Sequence, residues 1–352
     1  MGIARLLLII GMVLPVQLVA GAQVPAVLHA EPAALAGQGG QMEWIAFDGE
    51  GTLWALDRSS AKLVAFDGSL KPVRSFGKAG SGSDRLQQPV CFSIEGGRAA
   101  VADEGYFKIF SLKNGEPLNA LSPQSPEGAY TQPYAGFQLL PGALLLTGQT
   151  FTDSKHMAEG GAAKVSTLAS ISLKDKRWAF LRSEEVRAAE RPAFFLFGRG
   201  LGAYWPDQRA WAVTQKLPRQ VVLVDQDARV LRVSEAVPAK WPVLGPLDSP
   251  QQQMMAWVQE KYVVALLPAG KRLAIIWHIP AGASPRYEIE WMGKDLRPLG
   301  TTRLDFPVKF APDDIFYSAT ADAKGRAFIL ILKRPMGGSS SSALFSVDLG
   351  RP

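Results

Sequence analysis

FDGEGTLWALDRSSAKLVAFDG, residues 47–68, is the stretch from which the fold of this chain is read. Two apolar runs alternate with polar steps, and the pairs Asp48-Gly49 and Asp67-Gly68 mark turns. Glycine after aspartate is expected to supply the positive φ that a tight hairpin turn requires. With its flanks, the stretch predicts an antiparallel meander of four short strands. The predicted strands are Trp44–Phe47, Thr52–Leu56, Leu63–Phe66 and Lys71–Phe76.

The same order of turns and apolar runs returns about 47 residues later, from Gly49 to Gly96. The strands of this second copy are Pro89–Ile94, Ala99–Ala102, Lys108–Leu112 and Pro117–Leu121. Four looser copies follow, each with a short turn in its first hairpin. These turns are Pro141-Gly142, Pro206–Gln208, Pro268–Gly270 and Ala323–Gly325. Six four-stranded units predict an all-β, six-bladed β-propeller, because only neighbours packed in a ring bury both faces of each sheet. Five or seven blades stay open as alternatives.

The last copy has room for only three strands, because the sequence ends at Pro352 soon after the apolar run Ala343–Leu349. An incomplete blade would expose unpaired backbone groups at its edge. We therefore expect a segment within Val24–Gly37 to supply the outermost strand of the last blade and close the ring. Pro32 limits such a strand to a short piece or an edge position.

The first two copies resemble NHL-type repeats. The shared features are the phenylalanine-glycine loop Ser75–Gly82, the proline-started strand after Gln88, the valine-alanine-aspartate strand end Val101–Asp103, and Lys108–Phe110. The resemblance covers Trp44–Leu121, and the later copies share only the strand pattern of the wider class of TolB-like propellers. It implies six four-stranded blades. In some related lactonases a channel cation is held by carboxylates and carbonyls, but no matching ligand set is evident in this sequence.

The first 22 residues have the features of a secretory signal peptide. Arg5 precedes a nearly uninterrupted apolar run, Leu6–Ala20, and Ala20–Ala22 offers small residues for cleavage. We expect residues 23–352 to form a single propeller domain in the bacterial periplasm or the extracellular medium, with no transmembrane span once the signal is removed. An uncleaved anchor is the alternative.

The composition is that of a folded globular protein, with 47% hydrophobic and 20% charged residues. Cys91 is the only cysteine, so an intramolecular disulfide and a cysteine metal cluster are excluded, and its apolar surroundings predict a buried, inert thiol. The formal net charge of +6 falls to about +5 without Arg5. We predict a monomer without a nucleic-acid partner, and the mild positive charge is compatible with an acidic glycan or an anionic surface.

Long connections are predicted on one face of the ring, which we call the long-loop face. It carries the loops between second and third strands and the connections between blades, whereas the first hairpin turns lie on the opposite, short-turn face. The long segments are Gln149–Ser166, Ile279–Arg286 and Arg334–Ser342 within blades, and Ser122–Gln132, Leu181–Phe197 and Glu235–Glu260 between blades. Long loops in compact domains are often functional, so this face is the predicted binding face. Harmless accumulation of insertions is the alternative.

Seven residues of this face are candidate ligand contacts, chosen as aromatic or cationic side chains of the long connections and nearby strand ends. They are Tyr130, Tyr134, His156, Arg199, Trp241, Trp257 and His278. Packing between blades is the alternative for the aromatic residues, and a place at a strand end is the alternative for His278. The interleaved charges between Arg182 and Arg199 predict a short solvated helix, and Met254–Val258 predicts a short helix over the channel mouth.

Catalytic signals are weak. The three histidines, His29, His156 and His278, lack metal-ligand spacing, and Gly77–Gly82 precedes a strand rather than the helix of a phosphate site. Asp57 and Asp103 recur at equivalent positions, as expected for structural hydrogen bonds. We therefore expect a binding or scaffold module for a protein, peptide or glycan, without a cofactor. A metal-assisted lactonase, hydrolase or lyase, with a cation such as calcium in the channel, is the alternative.

Overall fold

The computed structural model describes most of residues 23–352. The described residues are 25–35, 42–122, 130–131, 137–151, 163–198, 200–217, 220–235, 243–244, 249–281, 284–311, 314–322, 324–333 and 341–350. The predicted signal peptide lies outside them. The described strands form six separate sheets, each built on an antiparallel meander, and the N-terminal strands join the last two of them.

Twenty-six strands build these sheets, which we number as blades 1–6. The N-terminal segment contributes β1 (Val27–His29) and β2 (Glu31–Ala33). Blade 1 contains β3 (Met42–Phe47), β4 (Leu53–Asp57), β5 (Lys62–Phe66) and β6 (Pro72–Phe76). Blade 2 contains β7 (Pro89–Glu95), β8 (Arg98–Asp103), β9 (Tyr106–Ser111) and β10 (Pro117–Leu121). Blade 3 contains β11 (Tyr130–Thr131), β12 (Phe137–Leu139), β13 (Ala143–Phe151), β14 (Ala163–Ser172) and β15 (Trp178–Val186).

The remaining blades follow the same order. Blade 4 contains β16 (Gly200–Trp205), β17 (Ala210–Gln215), β18 (Val222–Val224) and β19 (Val230–Val233). Blade 5 contains β20 (Tyr262–Ala269), β21 (Arg272–Ile279), β22 (Arg286–Met292) and β23 (Pro298–Asp305). Blade 6 contains β24 (Ile315–Ala321), β25 (Arg326–Lys333) and β26 (Ser341–Asp348). Two α-helices, α1 (Arg191–Phe197) and α2 (Pro250–Gln259), and two 3-10 turns, Ala188–Glu190 and Pro206–Gln208, lie in the connections.

The sheets stand in a ring because their first strands contact one another in chain order. Each first strand contacts the first strand of the next blade, in the order β3, β7, β12, β16, β20 and β24, and β24 contacts β3 again. Side-chain hydroxyls join these inner strands. The Ser318 hydroxyl accepts a hydrogen bond from the Ile45 N–H (3.2 Å), and the Ser93 hydroxyl accepts one from the Leu139 N–H (2.9 Å). The prediction of a six-bladed β-propeller is confirmed.

The N-terminal segment closes the ring as predicted. β2 pairs antiparallel with β26, with Glu31 opposite Ser346 and Ala33 opposite Leu344, and so becomes the outermost strand of blade 6. Pro32 therefore lies in an edge strand, where its missing N–H is tolerated. The sequence did not reveal that β1 also pairs, in parallel, with β23 of blade 5. The same short segment thus holds two blades.

The core lies between neighbouring blades. The second strands are buried on both faces, which explains why Leu53–Asp57 and Arg98–Asp103 read as nearly continuous apolar runs. Trp54, Trp205 and Trp291 are completely buried between sheets. Cys91 is buried among the apolar side chains of blades 2 and 3, as its sequence context predicted.

The aspartate turns differ in detail from the prediction. Gly49 and Gly68 do not have positive φ; in these turns, Gly51 (φ 82°) and Leu70 (φ 60°) adopt it. The reason is that the aspartate side chain shapes the turn. Its Oδ1 accepts hydrogen bonds from the N–H groups two and four residues later, and the fourth residue of the turn is then left-handed. The same pattern recurs at Asp225 and Asp322.

The helix predicted from the interleaved charges begins later than expected. Arg182, Glu184 and Glu185 lie in β15, because pairing with β14 continues to Val186. The helical part of this connection starts at Ala188 and continues as α1, which packs Ala193, Phe194 and Phe197 into the core. The helix predicted around Met254–Val258 is present as α2, and a capping box at Ser249 and Gln252 starts it.

Candidate functional site

The meander order places two kinds of connection on opposite faces of the ring. The short-turn face carries the turns 48–52, 96–97, 140–142, 206–209, 270–271 and 322–325, and the turns 67–71, 112–116, 173–177, 225–229 and 293–297. The long-loop ends of the strands are joined by the segments 58–61, 104–105, 152–162, 216–221, 280–285 and 334–340 within blades, and 77–88, 122–136, 187–199, 234–261 and 306–314 between blades. Of these segments, 152–162 and 334–340 lie wholly outside the described residues, and 122–136, 187–199, 216–221, 234–261, 280–285 and 306–314 lie partly outside them. The first group never exceeds five residues, whereas the second varies widely, so the asymmetry expected from the sequence exists.

The seven candidate contacts differ in how much of each residue the structure describes. Tyr134, His156, Arg199 and Trp241 lie outside them. Tyr130 and Trp257 are located by their backbones alone, in β11 and α2. His278 is the candidate whose side chain is described, and it lies at the long-loop end of β21. Whether the seven form one site therefore stays a prediction.

The loop predicted at Gln149–Ser166 is shorter than expected, because its two ends are strands. Thr150 pairs with Ser166 and Phe151 with Val165, so the connection itself is 152–162. β13 and β14 are the longest second and third strands among the described blades, and β11 adds a short strand at Phe151. Blade 3 therefore extends farther on the long-loop side than the other blades. The sequence did not reveal this extension, because the clear apolar–polar alternation is lost after Thr147.

His278 is buried in an aromatic cluster at the long-loop end of blade 5. Its Nδ1 lies 3.1 Å from the Glu260 carbonyl oxygen, so Nδ1 carries the proton and Nε2 keeps its lone pair. The ring stacks on Tyr262 (4.7 Å between centroids) and meets Tyr287 edge-on. Burial lowers the pKa of His278, and the charge of Lys216 lowers it further. A neutral imidazole at the end of a strand agrees with the alternative given above for this residue.

A second polar cluster lies where the inner strands of blades 1 and 6 begin. Glu43 is 3% exposed, and its Oε2 accepts hydrogen bonds from Tyr317 Oη (3.1 Å) and Arg58 Nη1 (3.2 Å). Both Glu43 and Tyr317 sit at bulges, which turn them out of the regular alternation. Burial, followed by the Glu43 charge, raises the pKa of Tyr317. Sequence reasoning missed this cluster, although an acidic residue inside the apolar run MEWIAF was a signal.

The two recurring aspartates have structural hydrogen bonds. The Asp103 carboxylate is completely buried, forms an ion pair with Lys108 (2.7 Å), and accepts hydrogen bonds from the Gln87 and Gln88 N–H groups. Lys108 also donates to the carbonyl of Gly82, so the pair anchors the glycine-rich connection 77–88. Asp57 instead accepts from Ser59 and Ser60 in its own loop. Both carboxylates are buried and engaged by these neighbours.

Two further observations concern the described part of the chain only. It contains no group of three or more His, Cys, Asp or Glu side chains arranged to hold a metal ion. None of its helices has the length and apolar character needed to cross a membrane.

The open groove outlined by the described residues lies on the short-turn face, away from both clusters. It has a volume of about 670 Å³ and runs between the outer hairpin of blade 3 and a turn of blade 4. Trp178, Asp175, Arg177 and Asp227 are among the residues that line it. Sequence reasoning missed it because its lining comes from turns that are distant in sequence.

Comparison with known proteins agrees with the fold. No family model and no curated protein matches the sequence. Among solved structures, a member of the DUF4221 family from Bacteroides vulgatus is 11% identical, with a TM-score of 0.59, over 92% of this chain and 96% of that one. A Bacteroides fragilis protein that is predicted to be exported is 12% identical, with a TM-score of 0.53, over 92% of this chain and 95% of that one.

At such identities the similarity concerns the fold alone. It says nothing about the ligand or activity of this chain, because one fold carries many unrelated functions. Six four-stranded antiparallel blades stand around a ring of inner strands, and an N-terminal strand closes the last blade. The chain is therefore a six-bladed β-propeller.

Proposed function

We propose that this protein is an exported β-propeller that binds a protein partner through its long-loop face, as a binding or scaffold module rather than an enzyme. The observation that carries the proposal is the difference between the faces. Turns on one face repeat a two- to five-residue pattern, whereas connections on the other range from two residues to 28. A rigid ring that varies on one face only is the arrangement by which scaffolds present binding loops.

Exposed apolar side chains support a protein partner. Tyr106 is 50% exposed in blade 2, and Met255 is 45% exposed on α2. Val243, in the same connection as α2, and Val308, in the connection between blades 5 and 6, are also exposed. Aromatic residues and methionine are enriched where proteins meet. A peptide or a glycan is the alternative ligand class.

Export rests on the signal-like N-terminus. Arg5, the apolar run and the small residues up to Ala22 together predict removal of residues 1–22. The predicted export of the similar Bacteroides fragilis protein is in line with this. We propose the periplasm or the extracellular medium as the location, and a monomeric state.

The test compares two pairs of substitutions in the chain 23–352. Tyr106→Ser with Met255→Ser changes the long-loop face, and Val73→Ser with Leu231→Ser removes equally exposed apolar groups from outer strands. Each variant is immobilised, exposed to envelope extract of the producing organism, cross-linked, and analysed by quantitative mass spectrometry. We expect the first pair to reduce recovery of the partner at least tenfold and the second pair to leave it unchanged.

Two results would contradict the proposal. One is that the wild-type chain retains no partner, and the other is that both pairs reduce recovery equally. If a peptide or glycan is retained instead, and its retention depends on Tyr106 and Met255, the long-loop face is still the binding face but the ligand is not a protein.

A further inference from the structure

The register of the outermost strands defines one position that carries a long polar side chain in three blades. It is the third residue of the strand, directly after a bulged residue, and it is Arg74 in blade 1, Asn119 in blade 2 and Arg232 in blade 4. Asn119 donates a hydrogen bond to the Leu173 carbonyl of blade 3 (3.4 Å), and Arg232 Nη1 donates one to the Lys294 carbonyl of blade 5 (2.7 Å). An amide or a guanidinium at this position therefore bridges two junctions between neighbouring blades.

Blade 3 has small residues at the corresponding place. Its outermost strand starts without the bulge, so the register puts Ala179 at this position, opposite Ser170 of the third strand. Blade 5 also has a small residue there, Gly300, but the indole of Trp291 opposite it is completely buried in the core shared with blade 6. Within the described chain, no hydrogen bond joins residues 170–179 to the turn 226–228 of blade 4. The groove described above occupies this unbridged junction.

The two small residues face blade 4. Residues directly opposite each other in neighbouring strands lie on the same face of a sheet. Leu145, Ser170 and Ala179 are opposite one another in three successive strands of blade 3. Leu145 packs in one apolar cluster with Trp211 and Val213 of blade 4. Ser170 and Ala179 therefore line the groove from the blade 3 side.

The acceptor carbonyls of the bridged junctions also occupy one position. Each lies two residues after the third-strand residue that pairs with the second residue of the second strand. By this register Leu173, Lys294 and Gln226 are equivalent. Gln226 lines the groove, and no side chain of the described residues donates to its carbonyl. The junction between blades 3 and 4 therefore has the acceptor that the two bridged junctions use, but not the donor.

A buried hydroxyl is a second group in need of a partner. Ser170 is 7% exposed and lines the groove, and in the part of the chain that the structure describes its hydroxyl forms no hydrogen bond. A polar group that is buried without a partner is unfavourable. A ligand with several N–H donors would satisfy this hydroxyl together with the Gln226 carbonyl.

The charges of the lining favour a cationic ligand. Asp175 and Asp227 carry two negative charges and Arg177 carries one positive charge, which leaves a net charge of −1. Arg177 lies 3.5 Å from Asp175, but its side chain is 83% exposed, so its charge is largely in solvent. A cation that enters the groove therefore meets acceptors rather than a net positive charge.

We propose that this groove binds the guanidinium group of an arginine side chain. A planar guanidinium presents five N–H donors, enough to reach the Gln226 carbonyl, the Ser170 hydroxyl and the Asp227 carboxylate together. Its charge favours it over an amide, and its fork of donors favours it over an ammonium group. The site lies on the short-turn face, so it is separate from the proposed protein-binding face and is tested independently of it.

Titration calorimetry of the chain 23–352 with the peptide N-acetyl-Gly-Arg-Gly-amide tests the proposal. We expect this peptide to bind at least tenfold more tightly than two matched peptides, one with lysine and one with citrulline in place of arginine. Lysine keeps the charge without the fork, whereas citrulline keeps the planar shape without the charge. Agmatine distinguishes the source of the group: equal binding of agmatine assigns a small guanidinium compound, and weaker binding assigns a peptide.

Filling the groove from within is the sharpest variant. Ala179→Arg supplies a guanidinium at the position that Arg74 and Arg232 occupy in their blades, and it should abolish binding of the arginine peptide. Ser183→Arg is the matched control, because it adds the same side chain at an exposed position of the same strand outside the groove, and it should bind as the wild type does.

A second variant covers the case in which Ala179→Arg fails to fold. Asp227→Asn removes one charge from an exposed turn and should weaken binding at least fivefold, whereas the pair Tyr106→Ser and Met255→Ser should leave it unchanged. Three results would overturn the proposal. They are no binding of the arginine peptide at millimolar concentration, equal binding of the lysine peptide, and unchanged binding by Ala179→Arg.

Discussion

At the scale of single residues, two clusters of buried polar side chains lie at the long-loop ends of strands. Glu43 and Tyr317 meet there at two bulges, and His278 is enclosed by tyrosines one blade farther on. The hydrogen bond between Glu43 and Tyr317 joins blades 1 and 6, whereas His278, Tyr262 and Tyr287 all belong to blade 5. A buried group that must stay neutral nevertheless makes stability depend on pH.

His278 should reduce stability in mildly acidic solution. Its folded-state pKa lies below 6.5, mainly because burial disfavours the charged ring. Below pH 6.5 the unfolded chain takes up the proton first, so the free energy of unfolding falls with pH until the folded pKa is reached. This contribution is fully present above pH 6.5. The slope from one histidine is at most about 1.4 kcal/mol per pH unit.

Urea unfolding between pH 5 and pH 8 measures this effect. His278→Gln keeps a hydrogen-bonding side chain without a titration in this range, so its stability should fall less steeply between pH 6.5 and pH 5 than that of the wild type. The m-values serve as the control that both chains unfold over the same surface. Parallel pH profiles for the two proteins would exclude His278 as the source.

At the scale of elements, the aspartate turn is the device that repeats. At Asp67 the carboxylate accepts hydrogen bonds from the N–H groups of Ser69 and Lys71, at 2.8 and 3.0 Å. Leu70 then takes a left-handed conformation that is uncommon for a branched residue. The hydrogen bonds of the aspartate side chain therefore offset the unfavourable backbone conformation of Leu70. They also fix the turn, and the turn sets the register of the hairpin.

Asp67→Ala should destabilise the protein by about 1 kcal/mol, because two backbone donors lose a charged acceptor at an exposed site. Asp67→Asn keeps the accepting oxygen and should recover most of the loss. Asp84→Ala, at another exposed position outside the aspartate turns, should change stability by less than about 0.5 kcal/mol. Chemical denaturation provides all three values. Equal effects at Asp67 and Asp84 would contradict the role of the turn.

At the scale of the whole molecule, closure depends on the N-terminal segment. β2 completes blade 6 and β1 extends blade 5, so residues far apart in sequence are brought together on the rim. Between the strands, the Ala30 N–H donates to the Asp305 carbonyl (2.7 Å). A non-local contact of this kind forms late and opens early unless it is held.

A disulfide between Glu31→Cys and Ser346→Cys should stabilise the ring, because these positions face each other in the pairing of β2 with β26. It would close a loop of roughly 300 residues, for which the chain-entropy model gives an upper limit of about 6 kcal/mol. Calorimetry of the oxidised variant should show a higher Tm than the same variant after reduction. Cys91 is buried and should not exchange.

Mass spectrometry under non-reducing conditions confirms that the bond has formed. Ser346→Cys alone is the control for the substitution itself, and oxidant should leave its Tm unchanged. An oxidised double variant with the same Tm as its reduced form would mean that separation of β2 from β26 does not limit thermal unfolding.

Local sequence determined the strands, the turns and the number of blades. The alternation of apolar runs with Asp-Gly and Gly-Gly turns predicts strands and hairpins, and the recurrence of this pattern predicts the blades. The incomplete last copy even predicted the closing role of the N-terminus, because an open edge is unfavourable in any arrangement. Burial of Cys91 followed in the same way from its apolar neighbours.

Tertiary structure alone decided what lies across blade junctions. Glu43 meets Tyr317, and β1 pairs with β23, although no local pattern links these partners. Bulges also decide which face a side chain takes, and a one-residue shift is invisible to an alternating pattern. The sequence therefore specifies each sheet through short-range periodicity, whereas the sites arise from packing between sheets, which periodicity does not encode.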